Sequence, residues 1–200
     1  MMNRKLYPSD LTDAEWQILD PLVPPGKSGG RHREQDMHEI LNGVFYVLRS
    51  GCSWRMLPHD FPAWQTVYGY FWQWRRKGTW ERMNETLRVQ LRQAYGREAT
   101  PSAAILDSQS VKTTEVKGTR GYDAGKKVKG RKRHILVDTL GLLLMVVVHA
   151  ANIQDRDGAK LVLDKAKQCF SRLRLIWADG GYAGQLVDWV RHTYDWILEI

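Results

Sequence analysis

The stretch Ala103-Ala104-Ile105-Leu106-Asp107 is short, apolar and closed by a carboxylate, which predicts a buried strand with Asp107 at its end. A second stretch, Leu173 to Ala178, ends the same way at Asp179, just before Gly180-Gly181. Between them lie two further strand patterns, Ile135-Leu136-Val137 and Leu142 to Val148, around the turn Asp138-Thr139-Leu140-Gly141. A helical pattern with Ala159, Val162, Ala166 and Phe170 follows, with Asp157 as its expected cap. Leu186, Trp189 and Val190 mark one more helix, and Trp196 to Ile200 begins another strand. Three consecutive strands followed by helix–strand alternation predict a mixed sheet covered by helices.

That order decides where the two carboxylates go. The helix after the third strand permits a crossover, which lays the strands ending at Asp107 and Asp179 side by side and parallel. Neighbouring strands lie about 4.8 Å apart, so one cation can touch both carboxylates. Hard oxygen ligands with room for water and phosphate suit Mg²⁺ or Mn²⁺. Read alone, Asp107 also fits the cap of a following turn, and Asp179 a plain turn residue. A polar set after the third strand, His149, Asn152, Asp155 and Asp157, is placed to line the same cleft. For Asp157 the helix cap is the simpler role.

The pattern changes across Gly96 to Ser102, which divides the chain into a helical domain, 1–97, and a sheet domain, 98–200. Thr12 and Glu15 form a capping-box pattern ahead of Trp16, Leu19 and Leu22, with Pro24-Pro25 as the stop. Lys27 to Arg33 is a Gly-rich basic loop. Met37, Leu41, Val44 and Leu48 recur at helical spacing up to Gly51. Trp64, Val67, Phe71 and Trp74 mark the buried face of a third helix, and Trp80, Met83, Leu87, Leu91 and Ala94 that of a fourth. The helix near 64–77 follows a helix and a Gly-containing turn, as in a helix-turn-helix. Its other side carries Thr66, Tyr70, Gln73 and Lys77, with Arg75 and Arg76 beside them. Such groups reach base edges and phosphates. A helical bundle with a solvated basic face fits the same pattern.

The charge balance is +8, with 30 Lys and Arg against 22 Asp and Glu, which suits a polyanionic partner such as nucleic acid. Much of it is concentrated in Lys112, Lys117, Arg120, Lys126, Lys127, Lys129, Arg131, Lys132 and Arg133, opposed locally by Glu115 and Asp123. With Gly118, Gly121, Gly125 and Gly130 interspersed, this segment reads as a flexible loop following a phosphate backbone; a solvated loop is the alternative. A hydrophobic fraction of 43% argues against a disordered chain. Cys52 and Cys169 have no partner at zinc-ligand spacing, so neither a zinc finger nor a disulfide framework is supported, and a reduced cytoplasm fits. The N-terminus has no apolar run of the signal-peptide kind. The longest apolar run, Leu142 to Val148, falls far short of the roughly twenty residues of a membrane span.

Several of these segments resemble one family. Leu11-Thr12-Asp13-Ala14-Glu15-Trp16, Ser50-Gly51-Cys52-Ser53-Trp54-Arg55-Met56-Leu57-Pro58 and Trp64-Gln65-Thr66-Val67-Tyr68 resemble the N-terminal domain of insertion-sequence-five type transposases. Ile105 to Lys112 resembles their first catalytic block, Gly130-Arg131-Lys132-Arg133-His134 follows in the expected place, and Ala178-Asp179-Gly180-Gly181-Tyr182 resembles the second. The resemblance implies a ribonuclease H-like fold and a site of two Asp and one Glu, with Asp107 and Asp179 as its first two acids. It also implies Mg²⁺ or Mn²⁺, double-stranded DNA partners (terminal inverted repeats and target), a homo-oligomer, and a place at the bacterial nucleoid in the cytoplasm. In that chemistry a metal-activated water cuts at a transposon end, and the freed 3′-hydroxyl attacks target DNA. The family's third acid is a Glu on a helix after the last strand. The sequence ends at Ile200 within that strand, and Glu199 alternates with Leu198 and Ile200 as a strand residue. The expectation is therefore an α+β chain with an incomplete ribonuclease H-like domain, inactive alone. A truncated DNA-binding regulator of transposition and a structure-specific nuclease are the competing readings.

Overall fold

The computed structural model describes residues 4–26, 29, 33–113 and 118–200, in two compact units, Met1–Asn84 and Glu85–Ile200. Most of the Lys27 to Arg33 loop, together with Glu115 and Lys117, lies outside the described residues. No helix among the described residues is long and apolar enough to cross a membrane.

In the first unit, helix α1 (Asp13–Leu19) begins with the expected capping box. The Thr12 hydroxyl accepts from the Glu15 N–H at 3.3 Å, and the Glu15 carboxylate accepts from the Thr12 N–H at 2.8 Å. Helix α2 (Met37–Ser50) is capped by Asp36 and stops at Gly51, whose φ of 69° is a left-handed conformation open to glycine at little cost. Its buried stripe is Met37, Ile40, Leu41, Val44 and Val47. Leu48, expected on that stripe, is exposed, because it lies one residue past the 37-40-44-47 row. Residues 51–63, with a 3₁₀ turn at Trp54–Met56, lead into α3 (Trp64–Arg76). Val67 and Trp74 are buried there, while Trp64 and Phe71 are only partly covered. Trp54, Phe71, Trp74 and Trp80 form a chain of tilted and edge-on ring contacts beside them.

Helix α4 (Thr79–Ala94) runs through the division between the units. Its later buried residues are Arg88 and Arg92, not Leu91 and Ala94, which are exposed. The arginines are tolerated because each guanidinium has partners, although the Arg88 Nε is buried without one. The Arg88 guanidinium lies over the Phe170 ring and donates to the Leu143 carbonyl, and Arg92 donates to the Glu98 carbonyl and pairs with Asp138.

The second unit holds β1 (Ala103–Lys112), β2 (Gly121–Asp123), β3 (Val128–Asp138), β4 (Leu143–Ala150), α5 (Asp155–Cys169), β5 (Leu175–Ala178), α6 (Gln185–Tyr194) and β6 (Ile197–Glu199). β3 pairs antiparallel with β1 on one edge; on its other edge it meets β4 along most of its length and the short β2 at its start. β1 continues into parallel β5, and β5 into parallel β6. The order β4-β3-β1-β5-β6, antiparallel then parallel, is a ribonuclease H-like sheet. Leu106, Leu136, Val147 and Ile176 face one side and build the core with Leu163 and Val190 of the two helices. The opposite face is open, with Ile105, Val148, Trp177 and Ile197 exposed on it.

Two expectations change here. The stretch 108–131 is not a single loop: β1 runs on to Lys112, and a hairpin of β2 with β3 begins at Gly121. Asp157 does not cap α5, which starts two residues earlier at Asp155, after Gln154.

Asp138 ends β3 with no exposure. Its Oδ1 accepts from the N–H groups of Leu140 and Leu142, each at 2.9 Å, and its Oδ2 pairs with Arg92. Replacing Asp138 with Ala leaves a buried guanidinium unpaired and two amides without an acceptor, so the expected loss is about 3–5 kcal/mol. Urea denaturation measures it; a loss below about 1 kcal/mol would mean that water reaches the pair.

Candidate functional site

The last paired residues of β1 and β5 are Leu106 and Ala178. One step further, Asp107 and Asp179 stand at matching positions on adjacent parallel strands, about 4.8 Å apart by strand spacing. Asp179 keeps an extended backbone, φ −76° and ψ 174°, so the strand alternation continues through it. Both acids therefore belong to the open-face row that includes Ile105 and Trp177, and both are exposed. Asp107 is fixed within a strand that continues for five more residues, and its Oδ1 accepts from the Ser108 N–H at 2.6 Å. Asp179 caps the 3₁₀ turn Gly180–Tyr182 and accepts from the Gly181 N–H at 2.9 Å.

A third carboxylate stands close by. A Cβ placed on Gly181 would lie 3.0 Å from Asp179 Oδ1 and 3.4 Å from Asp155 Oδ2. Asp155 Oδ1 takes the Ser108 hydroxyl at 2.9 Å and the Lys132 ammonium at 2.9 Å. Burial alone would raise the Asp155 pKa, but those two donors outweigh it and hold the carboxylate below its ordinary range. In the sequence Asp155 stands only in a loose polar set with His149, Asn152 and Asp157. The hint is its position at the first turn of a crossover helix, which brings it to Ser108 in the middle of β1 and to the turn after β5.

The basic segment splits by alternation along β3. Side chains at odd positions share the face of Asp107: register sets Ile135 opposite Asp107 and Arg133 opposite Gln109. Lys129 and Arg133 are exposed there, Arg131 is half-buried, and Arg133 donates to the Gln109 side chain at 2.8 Å. Even positions turn inward. Lys132, expected to meet phosphate, is 4% exposed and is held by Asp123 at 3.1 Å, Asp155 at 2.9 Å and the Ile153 carbonyl at 3.1 Å. It is a structural cation, because strand alternation leaves it no route to solvent. Lys126 is exposed, yet its ammonium reaches the Ser108 carbonyl and hydroxyl at 2.8 and 3.2 Å. Lys112 and Lys127 are exposed. Asp123 is pushed well below its ordinary pKa: Ser110, the Lys126 N–H and Lys132 all favour its charged form against the opposing effect of burial.

On α3, Thr66, Tyr70 and Gln73 are half-buried and line a groove beside Pro24 and Pro25, with exposed Lys77 at its end. Arg75 and Arg76 are exposed, and the Arg76 guanidinium stacks over Trp72, 4.6 Å from its centroid. The more exposed row is Gln65, Tyr68, Gly69 and Trp72, which differs from the row Thr66, Tyr70, Gln73 and Lys77 expected from helical spacing.

Two carboxylates on one face suit a hard divalent cation that keeps water and phosphate oxygens as its other ligands. Among the described residues, no three His, Cys, Asp or Glu side chains stand together in metal-holding geometry.

Residues 11–84 match a family model assigned to transposases of the IS4/5 family, and residues 98–200 match the transposase DDE domain. An uncharacterized 16.2 kDa protein of insertion element IS402 from Burkholderia cepacia is 30% identical over 127 residues, covering 59% of this chain and 78% of the relative. Uncharacterized protein y4sN of Sinorhizobium fredii is 26% identical over 117 residues, covering 58% of this chain and 87% of the relative. The crystal structure of a pre-cleavage Mos1 transpososome aligns with 86% of this chain and 61% of its own at 9% identity. Its TM-score is 0.26, too low to bear on the fold.

One group near the acids makes the stability pH-dependent. Burial, helped by the neighbouring His149 and Lys132, lowers the His134 pKa from 6.5 to about 4. The unfolded chain takes up this proton first, so the contribution is complete above 6.5 and is lost as the pH falls through about 4. Thermal unfolding followed from pH 7 to pH 4 should show a falling midpoint, with a shallower fall in His134→Asn. Equal slopes would place the loss on other groups.

Proposed function

Since the chain belongs to the DDE transposases, we propose that it binds double-stranded DNA and that Asp107 and Asp179 hold a divalent cation, Mg²⁺ or Mn²⁺, for cutting and joining at insertion-element ends. The observation that carries this reading is the parallel register of β1 and β5, which sets the two acids side by side on an open face. A bound cation would polarise water and a phosphate oxygen there. The chain's own part is to present that face. Arg133, Lys129 and Arg131 lie along the same side of the sheet and offer cations to a phosphate backbone. Lys127 and Lys112 extend that basic surface. Arg75, Arg76 and Lys77 at the end of α3 form a second basic patch, suited to the terminal repeats, with Thr66, Tyr70 and Gln73 beside it. Pairing two ends requires at least two copies of the chain.

The metal half of the reading is tested with Mn²⁺ binding, followed by electron paramagnetic resonance. Asp107→Asn and Asp179→Asn should each weaken binding at least tenfold while duplex DNA is still bound. Unchanged Mn²⁺ affinity in both variants would end the assignment. Retained DNA and Mn²⁺ binding with no cleavage of a terminal-repeat duplex would favour a regulator that occupies ends without cutting.

The DNA half is tested by salt dependence. Replacing Lys127, Lys129 and Arg133 with Ala should flatten the log–log slope of affinity against salt by roughly one unit per lost contact. Lys132→Met should lower stability and leave the slope alone, since its ammonium is spent on Asp123 and Asp155. A slope unmoved by the triple replacement would return those cations to plain solvated surface.

A further inference from the structure

Resting on the metal-site reading above, we propose that a buried pair of histidines, His134 and His149, positions Asp179 through Tyr182, as a hydrogen-bonded chain in which each imidazole holds one fixed tautomer.

The turn carrying Asp179 has little stiffness of its own. It consists of Asp179, two glycines and Tyr182, and Asp179, Gly180 and Gly181 are exposed. Its one buried side chain is Tyr182, with no exposure at all, and the Tyr182 N–H donates back to the Asp179 carbonyl at 3.0 Å. The Tyr182 ring is therefore the anchor of the turn. The polar end of that anchor is its hydroxyl, 2.9 Å from His134 Nδ1.

The chain continues behind His134. His134 and His149 are stacked obliquely, centroids 4.9 Å apart. Their Nε2 atoms are both buried without a hydrogen-bond partner, and both crowd the same point, 2.2 and 2.4 Å from where a Cβ on Gly158 would stand. A ring nitrogen facing a carbonyl must carry hydrogen, so His149 Nδ1–H donates to the Ala150 carbonyl at 2.8 Å. His149 Nε2 is then a bare acceptor. His134 can supply the matching donor only from Nε2, which leaves its Nδ1 to accept from the Tyr182 hydroxyl. This assignment runs in one direction, from Tyr182 to His134 to His149 to the Ala150 carbonyl, and turns an N–H and a bare nitrogen toward the same point beside Gly158. The lowered pKa of His134 keeps its ring neutral near pH 7, as the assignment requires. Gly158 lets α5 close over the pair, since any side chain there would drive the rings apart. A metal between the two nitrogens is disfavoured, as no third His, Cys, Asp or Glu among the described residues joins them.

The carboxylates of Asp107, Asp155 and Asp179 all act electrostatically on the Tyr182 hydroxyl. Tyr182 thus sits behind the site, between the strand bearing one acid and the turn bearing the other.

The test uses the full chain and two independent readouts. Nitrogen-15 spectra of the histidine rings at pH 7 should show His149 protonated at Nδ1 and His134 at Nε2; His134 protonated at Nδ1 would overturn the chain. Mn²⁺ affinity should then fall about tenfold in Tyr182→Phe, the scale seen when outer-shell partners of metal ligands are removed, with the thermal midpoint little changed. His134→Gln should give a similar loss, and the double variant should be no weaker than either single one, as expected of groups acting in series. Additive losses, or full Mn²⁺ affinity in Tyr182→Phe, would overturn the positioning role. Asp179→Asn separates the two ideas. If it leaves Mn²⁺ binding intact, the metal-site reading fails first. If it abolishes binding while Tyr182→Phe does not, only the positioning role fails.

Discussion

β1 and β5 run parallel because α5 carries the chain back across one face of the sheet before β5 begins. The rest of the site depends on that crossover. Register places Leu106 against Ala178, and the next residue on each strand is an acid. Parallel strands release their carboxyl ends on one edge, where ligands of open α/β sheets are met. The crossover is held by Ala159, Val162 and Leu163, all fully buried against the sheet. It is held also at its first turn, where Asp155 binds Lys132 and Ser108. The same helix therefore sets the spacing of the acids and supplies the carboxylate that stands behind them.

β3 divides the chemistry between the two faces of the sheet. Its odd residues bring cations to the face of Asp107, and its even residues send Lys132 and His134 inward. A buried ammonium is costly unless it is paired and fully bonded, and Lys132 has two carboxylates and a carbonyl. The net charge of +8 is thus a poor count of what can meet a polyanion. Lys132, Arg88 and Arg92 are consumed inside the second unit. Arg4 is likewise consumed in the first, between Asp10 and Glu39.

Much of the framework was legible because it rests on local rules. The Thr12–Glu15 capping box, the Gly51 stop, and the apolar strand segments that lead into Asp107 and Asp179 need only their own neighbours to be recognised, although β1 runs on past Asp107 to Lys112. The segment 108–131 resembles a loop because its charge density masks its period. Val128, Gly130, Lys132 and His134 alternate with Lys129, Arg131 and Arg133, yet an inward lysine looks the same in sequence as an outward one. Its partners, Asp123 and Asp155, lie 9 and 23 residues away on other elements, so only the tertiary fold reveals the pairing. Leu48 and Leu91 show the converse limit. Both fit an apolar stripe, and both are exposed because a neighbouring row packs instead.

Gly181 shows how closely the backbone is matched to the space between the acids. Its φ is not positive, so the turn does not demand glycine for its conformation. What it demands is room. A methyl group there would stand 3.0 Å from one carboxylate oxygen and 3.4 Å from another, filling the gap between Asp179 and Asp155. Two carboxylates held that close repel one another in the absence of a cation. Asp155 is already partly neutralised by Lys132, whereas Asp107 and Asp179 face solvent. The charge left uncompensated is therefore that of the exposed pair. The glycine keeps open the volume beside Asp179 in which a cation and its waters would have to sit.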